Sequence, residues 1–168
     1  MNLKGCCLMI GNLDGDLIAF RCSASVGLEG EEEIAILRTD KLMRDLLYNT
    51  ESTSYNCYLS GRNNFRKKVN LDYKANRKDK EPPRWLQSCR EYLIKEWNAV
   101  VSEGCEADDL LGINQHNTDS VCTTLDKDLL MITGWHFRWL DNEKIFVTPD
   151  QGLKAFYKQM LIGDKSDN

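Results

Sequence analysis

The sequence predicts an α/β fold, a mainly parallel central sheet flanked by helices. Two observations predict it. Short apolar runs alternate along the chain with longer stretches of helical spacing, as strand–helix–strand units require. The 168-residue length fits one domain with a substantial core.

The elements follow in order. Cys6 to Leu13 reads as a buried strand ending at Asp14-Gly15, and Leu17 to Cys22 starts a helix. A long helix is expected over Glu31–Tyr48, with Ile34, Leu37, Leu42, Leu46 and Leu47 as its apolar stripe. Glu31, Glu32 and Glu33 suit the positive end of its dipole. Tyr55–Leu59 resembles a second strand. Pro82-Pro83 signals a helix start, and Arg84–Trp97 has helical spacing at Trp85, Leu86, Cys89, Leu93 and Ile94. Asn98–Val101 is a third short strand, Ala107–His116 a short helix, and Ser120–Leu125 a β-branched-rich strand. Phe137–Leu140 and Lys144–Val147 form a hairpin around Asp141-Asn142. Thr148 or Asp150 caps a last helix through Met160.

Composition excludes several classes. Apolar residues make up 42%, charged residues 29%, and there are three prolines, which argues against disorder and low complexity. The sequence holds no run of ~18 apolar residues that would span a membrane. The first ten residues lack the long apolar region and cleavage site of a signal peptide. The cysteines number seven, with no Cys-x-x-Cys pair, so reduced thiols in a cytoplasmic setting are expected rather than disulfides or zinc.

Charge is unevenly distributed. The total is 22 basic and 26 acidic residues. Arg62 to Arg84 holds nine basic residues and three acids, a net of +6, which leaves 13 basic and 23 acidic elsewhere. A short basic segment on an acidic protein suits an anionic partner, or else a solvated charged loop.

The acids cluster at strand ends. Asp14, Glu106-Ala107-Asp108-Asp109 and Asp126-Lys127-Asp128 follow predicted strands, and Asp164 and Asp167 close the chain. In open α/β sheets ligands bind outside the carboxyl ends of the strands. Taken singly, each cluster has an ordinary account as first-turn acids, turn formers or a loop. Taken together, crowded carboxylates call for hard divalent cations such as Mg²⁺ or Mn²⁺. The histidines, His116 and His136, are not near a cluster in sequence.

These residues resemble a known family. Asp14-Gly15 with Ile18-Ala19-Phe20-Arg21, then Phe65-Arg66, Tyr73-Lys74-Ala75-Asn76-Arg77, Glu106-Ala107-Asp108-Asp109, Asp126-Lys127-Asp128-Leu129 and Gly163-Asp164-Lys165-Ser166-Asp167-Asn168 stand in the order of the 5′-nuclease superfamily. That family includes phage 5′→3′ exonucleases, the 5′-nuclease domain of bacterial DNA polymerase I and flap endonucleases. The resemblance implies one PIN-like domain over residues 1–168 and hydrolysis of DNA phosphodiesters with two divalent ions, Mg²⁺ or Mn²⁺. It maps one metal site onto Asp14, Glu106 and Asp108 with Asp109 close by, and the other onto Asp126, Asp128, Asp164 and Asp167. It makes Lys74 and Arg77 phosphate contacts at a basic arch over residues 62–84. Arg21, Arg66, Lys67, Lys68, Tyr73 and Lys78 are further expected nucleic-acid contacts. The implied partner is DNA with a free 5′ end or flap, with RNA or an RNA–DNA hybrid as the alternative, and no membrane.

Two departures stand out. Family members carry an aspartate after the second strand, where this chain reads Leu59-Ser60-Gly61-Arg62-Asn63-Asn64, so water or Ser60 would have to substitute. The helix–three-turn–helix region that follows in the family lies beyond Asn168, so a separate chain is a candidate partner supplying it. The same residues also fit two rival functions, a PIN-type endoribonuclease and a non-catalytic module binding single strands or a replication partner.

Overall fold

A computed structural model describes residues 9–70, 73–74, 81–117 and 119–163. The expectations on Cys6, Cys7, Arg77, Lys78, Asp164 and Asp167 lie outside the described residues. The chain runs β1 (Met9–Asp14), α1 (Gly15–Val26), α2 (Glu32–Thr50), β2 (Ser52–Leu59), α3 (Arg66–Val69), α4 (Leu86–Trp97) and β3 (Val100–Val101). It continues through α5 (Ala107–Asn117), β4 (Ser120–Thr123), a 3₁₀ turn (Lys127–Met131), β5 (Gly134–Arg138), β6 (Glu143–Val147) and α6 (Pro149–Ile162).

Among the described residues the strands form a six-stranded sheet in the order β3-β2-β1-β4-β5-β6. All neighbouring pairs are parallel except β5 with β6. The α/β fold read from the sequence is therefore the fold observed. From β1 the chain moves outward to β2 and β3, then returns to place β4 on the other side of β1. The carboxyl ends of β1 and β4 thus flank the strand switch, where such sheets open a crevice.

Helices α1, α2 and α4 pack together on one face, and α5 lies across β1, β2 and β4. The larger core contains Leu13, Ile18, Leu46, Leu59, Leu93 and Phe137, all nearly inaccessible. Each such side chain contributes roughly 1.5–3 kcal/mol relative to exposure. A smaller cluster packs Leu111 of α5 with Tyr58, Cys122 and Leu129. No helix among the described residues is long and apolar enough to cross a membrane.

Three local expectations are corrected. The inward face of α2 is Ala35, Thr39, Met43, Leu46 and Thr50, whereas Ile34 and Leu37 are exposed. The two threonines read as polar, but each hydroxyl bonds the carbonyl four residues back, at 2.9 Å for Thr39 and 2.8 Å for Thr50. Satisfied in this way, they enter the core. Ile94 is likewise exposed on α4. The third strand shrinks to two exposed residues at the sheet edge, because Asn98 takes the left-handed conformation, with φ of 48°, as the cap of α4.

Helix α6 begins with a capping box between Thr148 and Gln151. It rests on the 3₁₀ turn so closely that a Cβ at Gly152 would lie 2.5 Å from the Met131 carbonyl oxygen. The helix leaves Leu153, Phe156, Tyr157, Met160 and Leu161 exposed.

Candidate nucleic-acid and metal site

The site is built where β1 and β4 end. Asp14 is the last residue of β1 and the N-cap of α1. Its Oδ1 accepts the Leu17 N–H at 3.0 Å, and its Oδ2 accepts the Thr124 hydroxyl at 2.7 Å. The Thr124 oxygen accepts the Asp126 N–H at 3.1 Å. One hydroxyl therefore links the ends of both strands. Asp126 caps the 3₁₀ turn by accepting the Asp128 N–H at 2.9 Å.

Burial pushes the Asp14 carboxyl up to about 6, the charges of Asp16 and Asp126 adding to it while the bonds from Leu17 and Thr124 oppose it. Asp108, in the first turn of α5, has no hydrogen-bond partner among the described residues. Burial, then the charges of Asp14 and Asp126, push it up to about 7. The Asp126 charge thus disfavours the ionised state of both Asp14 and Asp108, and the Asp14 charge that of Asp108.

The other two acids of the helix start are matched by cations. Arg66 makes a bidentate pair with Asp109, at 2.6 and 2.7 Å. This contact holds the Asp109 carboxyl below its usual range and raises Arg66. Asp109 also accepts the Glu106 N–H at 2.9 Å, the acidic half of a capping box. Glu106 accepts the Lys74 ammonium and the Tyr73 hydroxyl, each at 2.8 Å. Burial disfavours the Glu106 charge, but those two bonds outweigh it and lower its pKa. Lys74 holds this position with φ of 58°, a left-handed backbone uncommon for a lysine. The basic segment is anchored nearby, where the Phe65 N–H donates to the Gly104 carbonyl at 2.9 Å.

Two cavities meet along this wall. The larger, of about 700 Å³, is lined by Arg66, Tyr73, Lys74, Asp109, Asp128 and His116 among others. The smaller, of about 610 Å³, includes Asp14, Asp16, Phe20, Ser60 and Arg90. Lys74, Glu106, Asp108 and Asp126 line both.

The structure therefore gathers Asp14, Arg66, Tyr73, Lys74, Glu106, Asp108, Asp109, Asp126 and Asp128 at the sheet edge. Lys67 and Lys68 are exposed on α3, and Arg21 is exposed on α1, lining neither cavity. His116, distant from the acids in sequence, lines the larger cavity because α5 carries it on the face shared with Asp108, Asp109 and Gly112.

Sequence reasoning missed Thr124 and Arg90. Thr124 had a faint signal, a hydroxyl two residues before Asp126 at a strand end. Arg90 had one too, a lone cation between Cys89 and Leu93 on the inward side of α4. Ser60, at the position of the first departure, proves to be a structural acceptor. Its Oγ takes the Ala107 N–H at 2.9 Å and so caps α5.

The donors suit a hard cation in kind, being all carboxylate oxygens, and the hydrogen bonds at Asp14 and the Lys74 charge near Asp108 offset their burial and repulsion only in part. They are not drawn around a common point. Among the described residues no group of three or more His, Cys, Asp or Glu side chains stands close enough to hold a metal ion.

By sequence, no protein-family model and no curated protein matches the chain. By fold, the chain is similar to solved structures from bacteriophage T5. A T5 protein co-crystallised with metal ions matches with a TM-score of 0.68 at 16% identity, over 95% of this chain and 67% of its own. A variant of the T5 5′-exonuclease matches with a TM-score of 0.65 at 14% identity, over 95% of this chain and 64% of its own. The T5 flap endonuclease, in a pseudo-enzyme–product complex with DNA and metal ions, matches with a TM-score of 0.66 at 16% identity, over 95% and 68%. The chain spans about two thirds of the length of each neighbour. At these identities the likeness is one of architecture: this chain has the α/β fold of the phage T5 5′-nucleases.

Proposed function

We propose that the chain is a divalent-metal-dependent 5′-nuclease hydrolysing phosphodiester bonds in DNA with a free 5′ end or flap. The observation that carries this reading is the mutual repulsion among Asp14, Asp108 and Asp126, only partly offset by Lys74, along the wall where two cavities share that lysine. Asp14, Glu106, Asp108, Asp126 and Asp128 would hold Mg²⁺ or Mn²⁺, with Asp164 and Asp167 as further ligands outside the described residues. When bound, such ions supply an activated water and stabilise charge on the leaving oxygen.

The chain's own residues do the rest. Thr124 fixes the orientation of the Asp14 carboxylate. Lys74, held at the boundary of the two cavities, neutralises charge that develops on phosphate oxygens. Arg66 and Tyr73 stand beside it for contacts along the strand, and Arg77 and Lys78 are assigned to the same basic segment. The five described cysteines are free thiols, four of them buried, which suits a reducing, cytoplasmic setting.

The test is cleavage of an end-labelled 5′-flap DNA, beside an RNA of the same sequence, with Mg²⁺ and with Mn²⁺. The expected result is metal-dependent cutting of the DNA that Asp108→Ala and Asp126→Ala abolish. Faster cutting of the RNA would favour an endoribonuclease, and tight binding without cutting would favour a binding module. Unchanged activity in both variants would remove the metal proposal.

A further inference from the structure

The smaller cavity contains one cation that the nuclease reading does not use. Arg90 projects from α4, and its guanidinium is pinned on one side. One terminal nitrogen pairs with Asp16, and the other donates to the Ser60 carbonyl at 2.7 Å. Asp16 closes the ring by accepting the Ser60 N–H at 2.8 Å. These contacts occupy two of the five N–H donors of an arginine. The side chain is 21% exposed, and it lines the cavity together with Lys74.

A guanidinium fixed before its ligand arrives loses little freedom on binding, and its donors match phosphate oxygens in pairs. The ring also places a negative charge against that cation, which attenuates its pull on a second anion. Lys74 is common to both cavities, so a strand crossing the carboxylates from the larger cavity passes Lys74 and enters the smaller one beside Arg90. We infer that the smaller cavity is a backbone-phosphate subsite in which Arg90 is the binding residue and Asp16 its positioning and attenuating partner. The inference rests on the nucleic-acid reading above.

The plain rival is a brace, with Arg90 serving only to tie α4 to α1 and β2. The two accounts differ in sign. Binding of a fluorescent 5′-flap DNA is measured by anisotropy with Ca²⁺ in place of Mg²⁺, over about 50–200 mM salt. For a phosphate contact, Arg90→Gln weakens binding roughly tenfold and lowers the salt slope by about one. Arg90→Lys keeps the slope, and Asp16→Asn, which removes the attenuating charge, binds more tightly than wild type.

A brace predicts that Arg90→Gln and Asp16→Asn both melt earlier and both bind equally or more weakly with the slope unchanged, and that result overturns the subsite. Wild type that binds and cuts DNA while Arg90→Gln binds equally well overturns the subsite alone. Wild type that neither binds nor cuts any DNA overturns the nuclease reading and the subsite together.

Discussion

The Lys74 ammonium meets Glu106 Oε1 at 2.8 Å, and this contact ties the basic segment to the first turn of α5. The same glutamate takes the Tyr73 hydroxyl, so two consecutive residues of that segment converge on one carboxylate. Under the proposed function, a lysine placed there would meet charge that grows during phosphate-ester cleavage. Lys74→Ala is expected to lower the single-turnover cleavage rate about 100-fold. Its effect on DNA affinity should stay within about threefold, since a transition-state contact differs from an anchor. Parallel rate and anisotropy measurements check the split, and equal losses would identify a plain phosphate anchor.

Asp108 and Asp14 make the metal-free protein less stable as pH rises. Their folded pKa values, about 7 and about 6, lie above the ordinary 3.8. Between roughly pH 4 and 7 the folded state then holds more protons than the unfolded one, so unfolding free energy falls with increasing pH. The melting temperature in EDTA should therefore drop between pH 5 and pH 8. Asp108→Asn should flatten that slope and raise stability at pH 8 by about 2 kcal/mol, roughly half of what its pKa rise implies, a discount for solvent around a partly exposed carboxylate. Glu106 and Asp109 act oppositely, because their pKa values are lowered, and their contribution is lost only as the pH falls below the normal carboxylate range. A melting temperature that rises steadily from pH 5 to pH 8 would contradict the assignment.

Gly15 sets how closely α1 approaches β2. A Cβ there would stand 2.6 Å from the Tyr58 carbonyl oxygen and 2.9 Å from the Cys57 sulfur. Both are embedded in the sheet and have little room to yield. Gly15→Ala is expected to cost about 1–3 kcal/mol by urea denaturation, the usual cost of overpacking. Since Asp14 and Asp16 flank this glycine, metal affinity measured calorimetrically should fall as well. An alanine variant of unchanged stability would show that the two elements separate freely.

Much of this architecture was legible because the signals were local. Thr148 ahead of the last helix, Asp141-Asn142 between two apolar runs, and the acids opening α5 each act over a few residues, and the structure has an N-cap at Thr148, a β5–β6 turn and a helix start at those places. The phase of α2 was not legible. Thr39 and Thr50 enter the core by satisfying their own hydroxyls, and a hydrophobicity pattern scores them as polar. Asp14, Glu106, Asp108, Asp109, Asp126 and Asp128 could be picked out by their places after strands. Their pairing could not. Which acids face cations depends on where residues 66 and 74 cross the sheet edge, a long-range matter that spacing does not encode. Thr124 and the ring of Arg90, Asp16 and Ser60 were hidden for the same reason, since residues 16, 60 and 90 meet only in three dimensions.

In the proposed function, Asp14, Asp108 and Asp126 form a receptacle for divalent cations. Anomalous scattering from crystals soaked in Mn²⁺ tests it most directly. Manganese peaks are expected among these three carboxylates, with Glu106 turned away from Lys74 toward the ion. Crystals that take up manganese only at other surface acids, or that show Lys74 still seated on Glu106 beside an empty cluster at saturating Mn²⁺, would contradict it.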